Sequence, residues 1–244
     1  MIKAACHIHS DWSYDGKWSL PDLSREFGRR GYRIIMMTEH DLGFTEARSL
    51  QHQEACALAS TDNVLVVPGI EYSDAANIVH VLVWGPVPFL GEGVPTMELL
   101  KQVKAANGIA VLAHPSRKQA WRRFDPAWRE ALLGIEIWNR KTDGWAPSCT
   151  AASLFEGTSL LPFLGLDFHD RRQFFPLATE LDLAPTFSQE ELLSCFKAGR
   201  YRHLAFGRPF RYGLSRHHAF GLRVAERCRR TLGAMYRSAR ALRH

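Results

Sequence analysis

Histidines and carboxylates recur along this chain where short apolar stretches begin or end. His7 and His9 close the first stretch as His-Ile-His. Alternate residues of a strand face the same side, so these two imidazoles can grip one cation. His40 follows the second stretch in Thr-Glu-His-Asp, and Glu71 follows the third in Pro-Gly-Ile-Glu-Tyr-Ser. His80 opens His-Val-Leu-Val-Trp-Gly, His114 ends Leu-Ala-His-Pro-Ser-Arg, and Asp167 and His169 end a later stretch as Gly-Leu-Asp-Phe-His. A lone histidine at a strand end reads as a polar residue satisfied inside its own fold, and His-x-His fits that reading and a metal site equally. Together they take six of the eleven histidines, and few roles other than metal binding need so many in one place. Imidazole mixed with carboxylate suits zinc, manganese or iron better than calcium or magnesium.

The elements that must position these groups alternate in type. Strands are expected over residues 2–7, 33–38, 64–68, 78–84, 109–113, 134–138, 161–166, 178–183 and 203–205. Helices are expected over 19–31, 46–59, 96–107, 126–132, 148–156 and 188–198. Ser19 with Pro21 and Asp22 makes a helix start, and Ser188 with Glu191 has capping-box spacing. Strands alternating with helices imply a parallel α/β sheet or barrel, whose strand C-terminal ends converge on one face where active sites form. No internal repeat or linker appears, so a single domain is expected over residues 1–213.

The composition is that of an ordinary globular chain: 244 residues, 46% hydrophobic and 23% charged. No apolar run is long enough to span a bilayer, and residues 1–10 lack a signal-peptide pattern. The five cysteines are scattered without Cys-x-x-Cys spacing, which argues against a disulfide framework and for a cytoplasmic protein. The net charge of +6 comes from the C-terminus, where twelve arginines between Arg200 and Arg243 are opposed only by Glu226. Residues 214–244 read as a long amphipathic basic helix, with Leu222, Ala225, Cys228, Leu232 and Met235 on one stripe. Such a helix docks on its own domain or on a partner.

His7-Ile-His9-Ser10 with Tyr14-Asp15-Gly16, then Thr38-Glu39-His40-Asp41, resembles the opening of the PHP (polymerase and histidinol phosphatase) family. Pro68-Gly69-Ile70-Glu71, Ala113-His114-Pro115 and Gly165-Leu166-Asp167-Phe168-His169 continue the resemblance in the family's order. It implies a distorted (β/α)7 TIM-like barrel and a phosphoesterase with two or three divalent ions (Mn, Zn or Fe). By that resemblance His7, His9, Glu71 and Asp167 hold one ion. Glu71, His80 and His114 hold a second, and Asp15, His40 and His169 a third. The implied reaction is hydrolysis of a phosphate ester, with a metal-bridging hydroxide as nucleophile.

Around that site, Asp41 and Asp170 are candidates for the general acid or for orienting an imidazole. Arg117, three residues after His114, is the candidate for phosphate recognition, because guanidinium pairs bidentately with phosphate oxygens. Arg140, Lys141, Arg171 and Arg172 could add to the same field, while Asn139 and Trp138 are candidate pocket residues. Trp138 is equally compatible with the core, and Cys6 should face away from the site. The expected partner is a phosphorylated small molecule or nucleotide. The alternatives are a 5′-end-directed exonuclease on short RNA or DNA, a metal amidohydrolase, or a metal-binding module without catalysis.

Overall fold

The computed structural model describes residues 1–210, 221–229, 231 and 232. These contain twelve strands: β1 (Ile2–Ile8), β2 (Ile34–Met37), β3 (Glu39–His40), β4 (Leu65–Val67), β5 (Gly69–Ser73), β6 (His80–Trp84), β7 (Ile109–Leu112), β8 (Gly134–Asn139), β9 (Leu161–Gly165), β10 (Leu177–Leu181), β11 (Tyr201–Ala205) and β12 (Arg208–Phe210). The helices are α1 (Leu20–Arg29), α2 (Glu46–Ala59), α3 (Thr96–Ala105), α4 (Arg140–Asp143), α5 (Cys149–Phe155) and α6 (Gln189–Lys197).

Local chemistry accounts for most of these boundaries. Ser19 accepts the Asp22 amide at the start of α1, whose Leu20, Leu23 and Phe27 are buried. Ser188 and Glu191 form a complete capping box on α6. The β2 segment, Ile-Ile-Met-Met, is buried at every position and pairs in parallel on both sides, as expected of a strand covered on both faces. In β1, Ala4 and Cys6 join one core cluster while Ala5 and Ile8 join another, so Cys6 faces away from the site.

The strands form two six-stranded sheets, ordered β12-β11-β10-β1-β2-β4 and β3-β5-β6-β7-β8-β9. The sheets meet along two seams. At one, β2 continues into β3 after Thr38, whose amide donates to the carbonyl of Ile8. At the other, the chain beyond β9 runs beside β1, with Phe168 and His9 exchanging backbone hydrogen bonds with His7 and Phe168. The expected (β/α)7 barrel is therefore met only in part. The fold is mixed α/β with the expected strand ends on one face, but the ladder is split into two sheets.

The expectation of parallel strands throughout also needs correcting. β5–β6, β6–β7, β1–β10, β10–β11 and β11–β12 are all antiparallel. The cause for β5–β6 is a tight connection: Asp74 accepts the amides of Ile78 and Val79, and Asn77 adopts a φ of 51°. No crossover helix fits there. Glu71 thus lies inside β5 rather than after a strand.

Of the expected C-terminal helix, residues 221–229, 231 and 232 are helical, and the remainder of 214–244 lies outside the described residues. Leu222 packs on the core, and buried Glu226 accepts the Trp145 amide and pairs with Arg229. No helix among the described residues is long and apolar enough to cross a membrane.

Candidate metal centre

All nine expected ligands converge. Glu71, from β5, sits at the middle with its carboxylate 2.8 Å from His80 Nδ1, 2.9 Å from His114 Nε2 and 3.1 Å from His40 Nδ1. His9 Nε2 and His7 Nε2 lie 3.5 and 3.6 Å from the same carboxylate. Asp167 faces His7, His9 and His114 from the far side, at 3.9 to 4.0 Å. Asp15 lies 3.2 Å from both His40 and His169. The ligand atoms group as His7, His9 and Glu71; as Glu71, His80 and His114; as His7, His114 and Asp167; and as His9, His40 and His169.

Three of the histidines are held in one tautomer. His7 Nδ1 donates to the Glu136 carboxylate at 2.7 Å, and His169 Nδ1 donates to the carbonyl of Asp167 at 3.0 Å. The Ser13 hydroxyl gives its proton to Glu39, so it accepts from His9 Nδ1 at 3.3 Å. Each ring therefore turns its Nε2 inward, the atom through which neutral imidazole binds a cation. With no cation bound, burial of the His7 ring is outweighed by the Glu136, Asp167 and Glu71 carboxylates, which hold it well above the usual imidazole range.

Several of these atoms are buried without a hydrogen bond: His7 Nε2, His9 Nε2 and His114 Nδ1, and also His40 Nε2 and Asp15 Oδ1, which face each other at 3.2 Å as an ion pair only. An unsatisfied buried polar atom costs about 1–3 kcal/mol, so five in one cluster point to a ligand that completes them. The mixed imidazole and carboxylate donors fit divalent zinc, manganese or iron.

Backbone and charge tell the same story. His7, His114 and Asp167 carry φ values of 64°, 23° and 50°, a region that costs a non-glycine residue about 1–3 kcal/mol and is typical of functional sites. The kink at His7 coincides with a register shift between Cys6 and Ile8, so regular strand alternation is not what aims His7 and His9 together. Burial, with His169 and His40 close by, holds the His9 imidazole well below its usual range, which favours the neutral ligand form. Burial opposes ionisation of Glu71 and Asp167. The surrounding His80 and His7 nonetheless hold Glu71 well below the usual carboxylate range. For Asp167, His7, Lys141 and His114 bring the carboxyl to about 2.

The cluster opens into a cavity of about 500 Å³, lined also by Tyr14, Asp41, Asn77, Arg117 and Lys141. Arg117 donates to the carbonyl and the side-chain oxygen of Asn77 at 3.2 and 3.1 Å, which places its guanidinium beside His80. Lys141 Nζ lies 3.1 Å from His169 Nε2 and 3.4 Å from Asp167. Asp41 is buried, and its carboxylate accepts the amides of Ser73 at 3.1 Å and Gly93 at 3.4 Å, tying the end of β5 to the loop at Gly93. A larger cavity of about 600 Å³ between α2, the β5–β6 pair and α6 contains no such cluster.

Four expected site or pocket residues lie elsewhere. Asp170 turns outward: it pairs with Lys17 at 2.7 Å and caps the turn Arg171–Gln173, so it is not the acid facing the cluster. Asn139 is the N-cap of α4, accepting the Thr142 amide at 2.9 Å and donating to Glu136, which turns it away from the cavity. Arg140 stacks on Phe175 at 4.6 Å and is half-buried there, not in the pocket. Trp138 is fully buried core, its indole N–H donating to the carbonyl of Gly144.

Two residues of the site were not anticipated in these roles. Glu136, buried at 1% exposure in the middle of β8, bonds the side chain of His7 and the amide of His114. The signal was a single charge in the apolar run Gly-Ile-Glu-Ile-Trp. Glu39, buried beside Ser10 and Ser13, holds the hydroxyl that orients His9.

No protein-family model matches the sequence, and no curated protein matches it. Solved structures do. A two-domain protein from Bacteroides vulgatus containing a predicted PHP-like metal-dependent phosphoesterase has a TM-score of 0.63 at 17% identity, over 91% of this chain and 68% of that one. PsfC from Pseudomonas syringae has a TM-score of 0.58 at 14% identity, covering 95% and 98% of the two chains. The lesion-specific endonuclease PfuEndoQ from Pyrococcus furiosus has a TM-score of 0.55 at 16% identity, covering 81% of this chain and 56% of that one. In fold, then, this chain is similar to PHP-like metal-dependent phosphoesterases.

Proposed function

We propose that this chain is a metal-dependent hydrolase of phosphate esters, acting on a small phosphomonoester or nucleotide. One observation carries the reading: imidazole lone pairs of fixed tautomer, two buried carboxylates and unpartnered ring nitrogens converge at the floor of one cavity. His7, His9, Glu71 and Asp167 would hold one divalent ion. Glu71, His80 and His114 would hold a second, and Asp15, His40 and His169 a third. Bound there, such ions supply Lewis-acid polarisation of a phosphoryl oxygen and a water nucleophile near neutral pH.

The protein's own groups supply the rest. Arg117 presents its guanidinium beside His80, where it meets the non-bridging oxygens of a phosphoryl group. Lys141 adds a second cation across the cavity, on the Asp167 side. Asp41 ties the end of β5 and the loop at Gly93 to the same wall. The cavity, about 500 Å³, matches a small ester better than a strand of nucleic acid. The similarity in fold to an endonuclease makes short DNA or RNA the second reading.

The test is phosphate release from phosphomonoesters, nucleotides and short oligonucleotides by metal-stripped protein reconstituted with Mn, Zn or Fe. Metal-dependent release from a small ester, lost in Asp167→Ala, supports the proposal. Cleavage of oligonucleotides alone transfers it to the nuclease reading, and turnover of neither substrate with any metal overturns both.

A further inference from the structure

Resting on the metal-centre reading above, we propose that Glu136 is the positioning residue of that centre, setting the tautomer of His7 and the pose of His114 from behind the cavity. Its carboxylate is buried and does not line the cavity. One oxygen accepts from His7 Nδ1 at 2.7 Å. The other accepts from the backbone amide of His114 at 2.8 Å and from Asn139 Nδ2 at 2.9 Å. Both residues it holds are left-handed in the backbone, so neither side chain is placed by regular strand geometry. Glu136 supplies the missing constraint on each, one through the ring and one through the peptide.

The fold makes room for this group. Gly165, two residues before Asp167, lies against Glu136, and a Cβ built at that position would collide with the carboxylate. One buried acid therefore touches or borders the chain at three proposed ligands: His7, His114 and Asp167. A carboxylate holding Nδ1–H leaves the Nε2 lone pair of His7 facing Glu71 and Asp167.

Glu136→Gln separates the two oxygens. The Gln carbonyl satisfies the two-donor side, His114 and Asn139, so its amide N–H₂ faces His7 Nδ1. Two donors cannot meet, so the His7 proton moves to Nε2 and the lone pair is lost from the cluster.

The experiment reads the ¹⁵N resonances of the His7 imidazole in metal-stripped protein, titrated upward in pH until the ring is neutral and assigned by their loss in His7→Gln, together with a calorimetric Mn²⁺ titration. In the wild type, His7 Nδ1 carries the proton; in Glu136→Gln it does not. Mn²⁺ affinity falls at least about tenfold and kcat falls with it, while KM for the ester stays within about twofold. A wild-type His7 with an unprotonated Nδ1 overturns the proposal, and so does unchanged Mn²⁺ affinity in a folded Glu136→Gln. Should Glu136→Gln fail to fold, the wild-type tautomer still decides. Should the wild type bind no Mn²⁺, the metal-centre reading fails, and the tautomer judges the Glu136–His7 assignment separately.

Discussion

Replacing His203 should remove a defined part of the protein's acid sensitivity. His203 is buried on β11, where its Nε2 donates to the carbonyl of Pro162 at 3.0 Å and its Nδ1 accepts from Thr179 Oγ1 at 3.1 Å. That arrangement needs the neutral ring. Burial holds the folded-state pKa down at about 4, against 6.5 for a free imidazole. The unfolded chain therefore binds a proton that the folded chain refuses between those values. Stability falls as pH drops from about 6.5 to about 4, and this group has no effect above about pH 7. The full span is worth about 3 kcal/mol, of which about 2 kcal/mol is lost between pH 7 and pH 5. His203→Gln has no such titration. Urea unfolding of metal-stripped wild type and His203→Gln, each at pH 7 and pH 5, isolates the term, because the other histidines are common to both proteins. The wild type should lose about 2 kcal/mol more than the variant. Equal losses, or a larger loss in the variant, would refute the reasoning.

Three further outcomes test other parts of the account. Gly165→Ala should displace the Glu136 carboxylate and weaken Mn²⁺ binding about as much as Glu136→Gln does, measured by the same titration. A Gly165→Ala protein with wild-type affinity would mean that the carboxylate is free to move. Arg117→Ala should raise KM for a phosphomonoester about 10- to 100-fold, the worth of a charged hydrogen bond of about 1.5–3 kcal/mol, with little change in melting temperature. A wild-type KM would remove Arg117 from phosphate recognition. Asp170→Ala should leave kcat and KM unchanged, because that carboxylate is occupied by Lys17 outside the cavity; a large drop in kcat would restore it as a candidate acid.

The proposed ligands were legible as a set, because so many histidines and carboxylates beside short apolar stretches have few other uses, although each alone is ambiguous and Glu71 lies inside its strand. The caps of α1 and α6 were legible locally: Ser19 and Ser188 act within three residues of themselves. What escaped depends on partners far apart in the chain. Glu136 acts on His7, 129 residues away, and its one local signal, a single charge in an apolar strand, does not name that partner. The antiparallel β5–β6 pair was hidden by Glu71, whose functional look masked its place inside a strand. The turn signal, Asp74 and Asn77, was nevertheless present. Asn139 and Arg140 looked like pocket residues from their place after a strand. A helix begins immediately there, however, and an asparagine at that point caps it rather than facing the cavity.

Whether these residues form a metal centre is decided by the number of Mn²⁺ ions bound per chain by metal-stripped protein at equilibrium, wild type against Glu71→Ala. Glu71 is shared by two of the ligand groups and touches five histidines. The wild type should bind two or three ions, and Glu71→Ala, still folded, should lose at least one of them. A wild type that binds none, or a Glu71→Ala protein with the full complement, would contradict a metal centre at these residues.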